Sequence, residues 1–241
     1  MKTLYTGKTK DVLMNEATGE YFLRFKDDAT GENGVFDPGA NTVGGAVKGK
    51  GKVGLQISQY FFERMERHGV PTHYLGADVD ACLMNVKAVT VPKLEFVLRD
   101  FTAGSMCRRF SLESGIRFDP PYTEVTLKDD AQGDPLISER LCRMKGLLAP
   151  GQYHAALDLL MKVGEVLRGE LAELGLTLID FKMEVGIDAD GNMCVADEIT
   201  PDIWRVKDEN GTIANQIECA EMILQRISNR KMGLPHNGCM R

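Results

Sequence analysis

The sequence predicts an α+β fold with a β-rich N-terminal lobe, and three observations carry that prediction. Short alternating stretches crowd the first hundred residues, helical periodicity dominates the later part, and one charged alternating hairpin stands at 177–199. The 241 residues suffice for one large domain or for two small lobes about a cleft, and 43% hydrophobic with 27% charged residues supply an ordinary core. A net charge of −6 argues against a nucleic-acid partner, because no basic excess exists to displace phosphate counterions. Small anionic substrates remain open. No apolar run reaches the roughly 20 residues of a membrane span, and Met1–Tyr5 leads into a strand pattern with no signal peptide in view. Six cysteines without CxxC spacing read as reduced thiols of a cytoplasmic protein. The four histidines lack HExxH or paired spacing, so neither zinc nor histidine catalysis is expected.

In chain order, Asp11–Met14 and Tyr21–Phe25 alternate as strands about a turn at Thr18-Gly19. From Gly31 to Gly54 eight glycines interrupt any periodicity, which predicts a long loop. Lys48, Lys50 and Lys52 alternate within it, and a loop of this length is either a functional element such as a lid or a long solvated loop with no catalytic part. A helix follows over 55–68, with Leu55, Ile57, Phe61, Phe62 and Met65 on one face and Gly69 and Pro71 as its stop. Residues 72–100 alternate as strands, a short helix is expected near 105–110, and a strand over 123–127. Leucines at steps of three and four mark a long helix over 150–174, ended by Gly175. The hairpin comes next, then a final helix over 213–228, and a frayed end from Leu234. The two lobes are drawn as 1–98 and 99–241.

Several segments carry chemistry. Gly7-Lys8-Thr9-Lys10 can lay a backbone turn over a polyphosphate and aim ammonium groups at it, although the same residues also make a plain hairpin with solvated lysines. In the hairpin, Asp180, Lys182 and Glu184 alternate with Phe181, Met183 and Val185, sending charges to one face. An Asp190-Gly191 two-residue turn pairs residues whose numbers sum to 381, which sets Glu184 opposite Asp197. Facing carboxylates repel unless a cation sits between them, and oxygen ligands favour magnesium over zinc. A solvated edge hairpin is the alternative. Asp202 and Arg205 follow at a spacing that suits either an amine and an anion or a local ion pair. Arg99 at a strand end, with Gly104-Ser105 at a helix start, forms an anion-binding arrangement or a simple cap. Lys128-Asp129-Asp130 reads as a polar loop.

Together these segments resemble the SAICAR synthetase family. The match rests on LYTGKTK at the start, FKDDAT at 25–30, GVPTHY at 69–74, RDFTAGS at 99–105, LKDDAQGDP at 127–135, LIDFKMEVG at 178–186 and ADEITPDIWR at 196–205. The chain departs from the family pattern at Asp100, at Val53–Leu55 and at Trp204. The resemblance implies a two-lobed fold akin to ATP-grasp enzymes and kinases, with ATP in the interlobe cleft. It implies ATP-dependent joining of L-aspartate to the carboxylate of an aminoimidazole ribotide, through an acyl phosphate, in purine synthesis. A small-molecule kinase using the same ATP site is the alternative. By position, Lys8, Lys10, Lys87 and Glu95 would serve ATP, Glu184 and Asp197 would hold Mg2+, and Arg99, Ser105 and Arg205 would surround the ribotide phosphate. Lys128, Asp180, Lys182 and Asp202 would line the carboxylate and aspartate sites. Small molecules are the implied partners, and a homodimer the implied assembly.

Overall fold

The first sheet grows from hairpins whose alternation is visible in the chain. Strands β1 (Lys2–Thr6), β2 (Lys10–Met14) and β3 (Tyr21–Phe25) pair antiparallel in sequence order. The computed structural model describes residues 1–32, 35–36, 42–213 and 215–233. The described parts of the glycine-rich stretch form strands and a helix start where a loop is expected. Strands β4 (Asp28–Glu32), β5 (Val35–Phe36) and β6 (Val43–Ala46) form a small sheet in the order β5-β4-β6. Helix α1 (Lys50–Arg67) then starts five residues before the apolar periodicity does. The cause is non-local: the Asp27 carboxylate accepts hydrogen bonds from the backbone N–H groups of Gly49 and Gly51, each at 3.0 Å, and so caps the first turn. The described part of the segment expected to form a lid is therefore largely strand and helix, and its residues 33–34 and 37–41 lie outside the described residues, as does the expected frayed end from Leu234.

Strands β7 (Tyr74–Asp78) and β8 (Leu83–Val86) complete the first sheet, in the order β1-β2-β3-β8-β7. Strand β9 (Leu94–Phe101) opens the second, so the lobe boundary expected at 98–99 falls inside a strand. There follow α2 (Ser105–Phe110), β10 (Arg117–Leu127), α3 (Glu139–Met144) and α4 (Gln152–Glu173). The hairpin forms as β11 (Thr177–Ile187) and β12 (Met193–Ala196). A second hairpin, β13 (Trp204–Asp208) and β14 (Gly211–Ile213), precedes α5 (Gln216–Lys231). The second sheet runs β10-β9-β11-β13-β14, with β12 on β11. Eight of the fourteen described strands thus precede residue 87, in the β-rich N-terminal lobe that the sequence predicts, and six more come from the later part of the chain.

Alternation along β9 decides where the site sits. Leu94, Phe96 and Leu98 are fully buried and form one core with Leu160, Val163 and Leu167 of α4. The intervening Glu95, Val97 and Arg99 point the other way and line a cavity. Helix α1 buries Leu55, Ile57, Phe61, Phe62 and Met65, the apolar face read from sequence. Trp204 meets Phe61 edge-to-face with centroids 5.0 Å apart, and Asp100 accepts two hydrogen bonds from Arg168 of α4 at 2.8 and 3.1 Å. Two of the departures from the family pattern therefore have packing or ion-pairing partners in this fold. Glu170 of α4 accepts from Tyr60 of α1 and from Arg230 of α5, both at 2.8 Å, and ties the three helices together.

Candidate active site

Lys10 is the cation at the centre of the cleft. It sits at the start of β2, next to a turn in which the Gly7 N–H donates to the Lys10 carbonyl at 2.8 Å. A Cβ on Gly7 would lie 2.8 Å from that same oxygen, so only glycine fits the turn. The Lys10 ammonium donates to Glu198 and lies 3.3 Å from an Asp197 oxygen, with only 9% of the residue exposed. Burial opposes its charge, but Asp197 and Glu198 outweigh burial and raise its pKa above the ordinary lysine value. Lys8 reaches out of the same turn to Asp130 at 2.6 Å, across to the segment after β10.

The carboxylates expected to face each other do not pair directly. Glu184 pairs with Ala196 and Ile187 with Met193, so the register sums to 380 rather than 381. The loop holds three residues instead of two. The Asp188 carboxylate accepts from the N–H groups of Asp190 at 3.0 Å and Asn192 at 2.8 Å, and Gly191 takes the left-handed position at φ 85°. Asp197 comes one residue past the strand end, itself left-handed at φ 67°. For a non-glycine residue that conformation costs on the order of 1–3 kcal/mol. Its carboxylate still approaches closely enough for Glu184 to feel its charge. Burial and then Asp197 push the Glu184 carboxyl up, against its ion pair with Lys128. Burial also opposes charge on Asp197, but Lys10, Lys128 and His73 outweigh it and hold that carboxyl low.

The other expected substrate groups line one cavity of about 270 Å³. Arg99, Ser105 and Arg205 all border it, together with Asp180, Lys182 and Glu95. Arg99 donates to Glu124 at 2.6 Å and to Asp180, and Arg205 donates to both oxygens of Asp180 at 3.2 and 3.1 Å. Lys182 donates to Glu95 at 3.0 Å, which puts Glu95 among these groups. Lys87 stands apart from the cavity, one residue beyond β8, and donates to the Thr72 carbonyl at 2.9 Å. Asp202 is buried against Lys50 and borders a second hollow of about 110 Å³, lined also by Lys48 and Gln216. One short segment, residues 197–205, therefore serves the Lys10 centre, the second hollow and the arginine cavity in turn.

Three neighbours, Glu124, Glu198 and His73, escape a sequence reading, and Lys50 is read there only as part of a loop. Glu124 joins Arg99 to Arg109, which donates to its other oxygen at 2.6 Å; its alternation within β10 was the available signal. Glu198 adjoins Asp197, and Lys50 belongs to the alternating lysines. His73 has no spacing signal at all. It is 3% exposed, and burial lowers its pKa to about 4. Because the folded pKa is depressed below the unfolded value, this histidine's contribution to stability is present above about pH 6.5 and is lost as pH falls towards 4. Denaturant titrations should show a loss on the order of 3 kcal/mol across that window, shrinking in His73→Gln. Equal pH slopes in the two proteins would contradict it.

Comparison with known proteins places the sequence and the fold. A family model described as SAICAR synthetase matches residues 3–219. The phosphoribosylaminoimidazole-succinocarboxamide synthase of Clostridium tetani is 38% identical over 230 residues, spanning 93% of this chain and 100% of that protein. That of Finegoldia magna is 37% identical over 210 residues, 87% of each chain. A solved SAICAR synthetase (Type-2) in complex with ADP superposes with a TM-score of 0.82 at 30% identity, covering 93% of this chain and 97% of its own. The Type-1 SAICAR synthetase of Pyrococcus horikoshii gives 0.79 at 29% identity, covering 91% and 97%.

Proposed function

This chain belongs to the SAICAR synthetase family, and from that premise we propose how its cleft residues divide the work of an ATP-dependent ligase. The family reaction joins L-aspartate to the carboxylate of the aminoimidazole ribotide in purine biosynthesis, with ATP as the energy source. A carboxylate oxygen of the ribotide attacks the γ-phosphorus of ATP and ADP leaves. The aspartate nitrogen then attacks the acyl carbon, the C–O bond to phosphate breaks, and an amide and inorganic phosphate result. No side-chain nucleophile is needed, so positioning and charge compensation carry the catalysis.

In this reading Lys8 and Lys10 bind the nucleotide phosphates and Lys87 lies towards the ATP side, whereas Glu95, expected there too, accepts from Lys182 in the arginine cavity and is read as a substrate-side group. Magnesium would be held by Glu184 and Asp197. The fit is chemical: the Glu184 and Asp197 carboxylates stand beside buried Lys10 and exposed Lys128, and each is close enough to a lysine to pair with it. Two carboxylates plus phosphate oxygens is the donor set magnesium prefers. Bound there with ATP, the ion would neutralise phosphate charge. Arg99, Ser105 and Arg205 take the ribotide phosphate, and Lys128 and Lys182 steady the carboxylate and its phosphorylated form. Asp180 has both oxygens engaged by arginines, whereas Asp202 is held through one oxygen by Lys50. Asp202 is therefore the acceptor for the amine proton, and the hollow beside it, with Lys48 at its edge, seats aspartate. A cytoplasmic location accords with free thiols at the five described cysteines and with no described helix long and apolar enough to cross a membrane. A homodimer completes the reading on family analogy.

The single observation that carries this assignment is the convergence of Arg99, Ser105 and Arg205 on one cavity beside the Lys10 centre. ADP release should require the ribotide, and amide formation should require aspartate as well. Sustained ADP release indifferent to aspartate, with a stable phosphorylated product, would mark a kinase instead. Gly104 offers a finer probe of the cavity. It is left-handed at φ 59°, and an added Cβ would stand 2.8 Å from the Arg205 guanidinium. Gly104→Ala should raise the ribotide KM roughly 10–100-fold by displacing that group, with the ATP KM unchanged. An unchanged ribotide KM would remove Arg205 from the pocket.

A further inference from the structure

The left-handed backbone at Asp197 needs something to hold it, and the structure supplies one candidate. His73 Nε2 lies 3.1 Å from the Asp197 carbonyl oxygen. A carbonyl only accepts, so Nε2 carries the proton and donates. The ring cannot easily turn away, because it is buried and packs on Phe62 with centroids 5.6 Å apart. Its backbone is anchored on both sides. The His73 N–H donates to the Val195 carbonyl at 2.9 Å, the Val195 N–H donates to the Pro71 carbonyl at 2.9 Å, and Thr72 bridges Val195 in parallel. On the other side the Lys87 N–H donates to the His73 carbonyl at 2.7 Å, and the Lys87 ammonium to the Thr72 carbonyl. Residues 71–73 thus form a strap from the end of β8 to β12, with the histidine ring as its only side-chain bond to Asp197.

We propose that His73 is a positioning residue for the metal site: its Nε2–H fixes the Asp197 peptide in the left-handed conformation that aims the carboxylate towards Lys10 and Glu184. It touches neither metal nor substrate. The proposal rests on reading Asp197 as a magnesium ligand and adds the group that orients it, and partners of this kind commonly govern metal affinity as strongly as a ligand does.

Two measurements test it. In the unmodified protein at neutral pH, 15N shifts of the His73 ring should report the Nε2–H tautomer; the Nδ1–H tautomer would overturn the proposal, since Nε2 could then not donate. The second is calorimetric binding of manganese(II) to the protein with ADP present, in His73→Gln, which keeps a donor without the ring, and His73→Phe, which keeps the ring without a donor. The glutamine variant should bind within about threefold of the parent and the phenylalanine variant roughly 10–100-fold more weakly. Equal affinity in the two variants, whether high or low, or the reverse order, would overturn it by tying affinity to ring packing or to neither property. Glu184→Gln in the same assay separates the two readings. If it leaves manganese affinity unchanged, the metal assignment itself fails. If it weakens binding while both His73 variants match the parent, only the histidine proposal fails.

Discussion

Replacing Lys10 by methionine is expected to reduce kcat by at least about 10³-fold, the largest functional loss from any single change in the cleft. The side chain is 10% exposed and lies between Asp197 and Glu198, whose own side chain is 7% exposed. Methionine fills the same volume without the charge. The phosphates lose their buried cation and Glu198 loses its partner, which for a buried pair costs roughly 3–5 kcal/mol of stability. Arginine should not rescue activity, because its planar fork does not fit where a compact ammonium meets two carboxylates. The lysine's raised pKa keeps it charged throughout neutral and mildly alkaline conditions, so its contribution is present below the ordinary lysine pKa and is lost only well above it. The deficit should therefore not vary between about pH 6 and 9. Single-turnover measurements at saturating substrates check the prediction, and a variant retaining a tenth of parental kcat would contradict it.

The second large effect is expected at Arg99. Its guanidinium is shared between Glu124 and Asp180, with side chains 2% and 3% exposed. Arg99→Ala strands parts of both, so roughly 3–5 kcal/mol of stability should go along with ribotide affinity. The ribotide KM should rise by at least about 100-fold while ATP affinity holds. Lysine at this position recovers neither fully, since one ammonium cannot reproduce two forked contacts. Loss of ATP affinity with an intact ribotide KM would reverse the assignment of the cavity.

These expectations show which parts of the site local sequence encodes. The alternation of Asp180, Lys182 and Glu184 with apolar neighbours was legible because a strand's two faces repeat every second residue, and the structure places those groups as read. The register across the hairpin was not. Asp190-Gly191 signals a two-residue turn, but the Asp188 side chain closes a three-residue loop, a choice that depends on one hydrogen-bond acceptor rather than on pattern. The start of α1 was missed for a related reason: its cap comes from Asp27, more than twenty residues away, so the sequence near Lys50 reads as loop. The β13–β14 hairpin had only a partial signal: Asn210-Gly211 marks a turn, but Gly211 already pairs with Asp208 and the turn falls on Glu209-Asn210, between strands too short to show periodicity. Glu124 and His73 act only through partners distant in sequence, Arg99 and Arg109 for the one and Asp197 for the other, and no local spacing reports such contacts.

The central claim is that this cleft activates a carboxylate by phosphorylation and then transfers it to an amine. Ribotide labelled with 18O in both carboxylate oxygens tests it most directly, by mass analysis of the products after turnover with ATP, magnesium and aspartate. The account predicts one labelled oxygen in the inorganic phosphate and one in the amide, because the bridging oxygen leaves with the phosphoryl group. Unlabelled phosphate accompanying amide formation would contradict it.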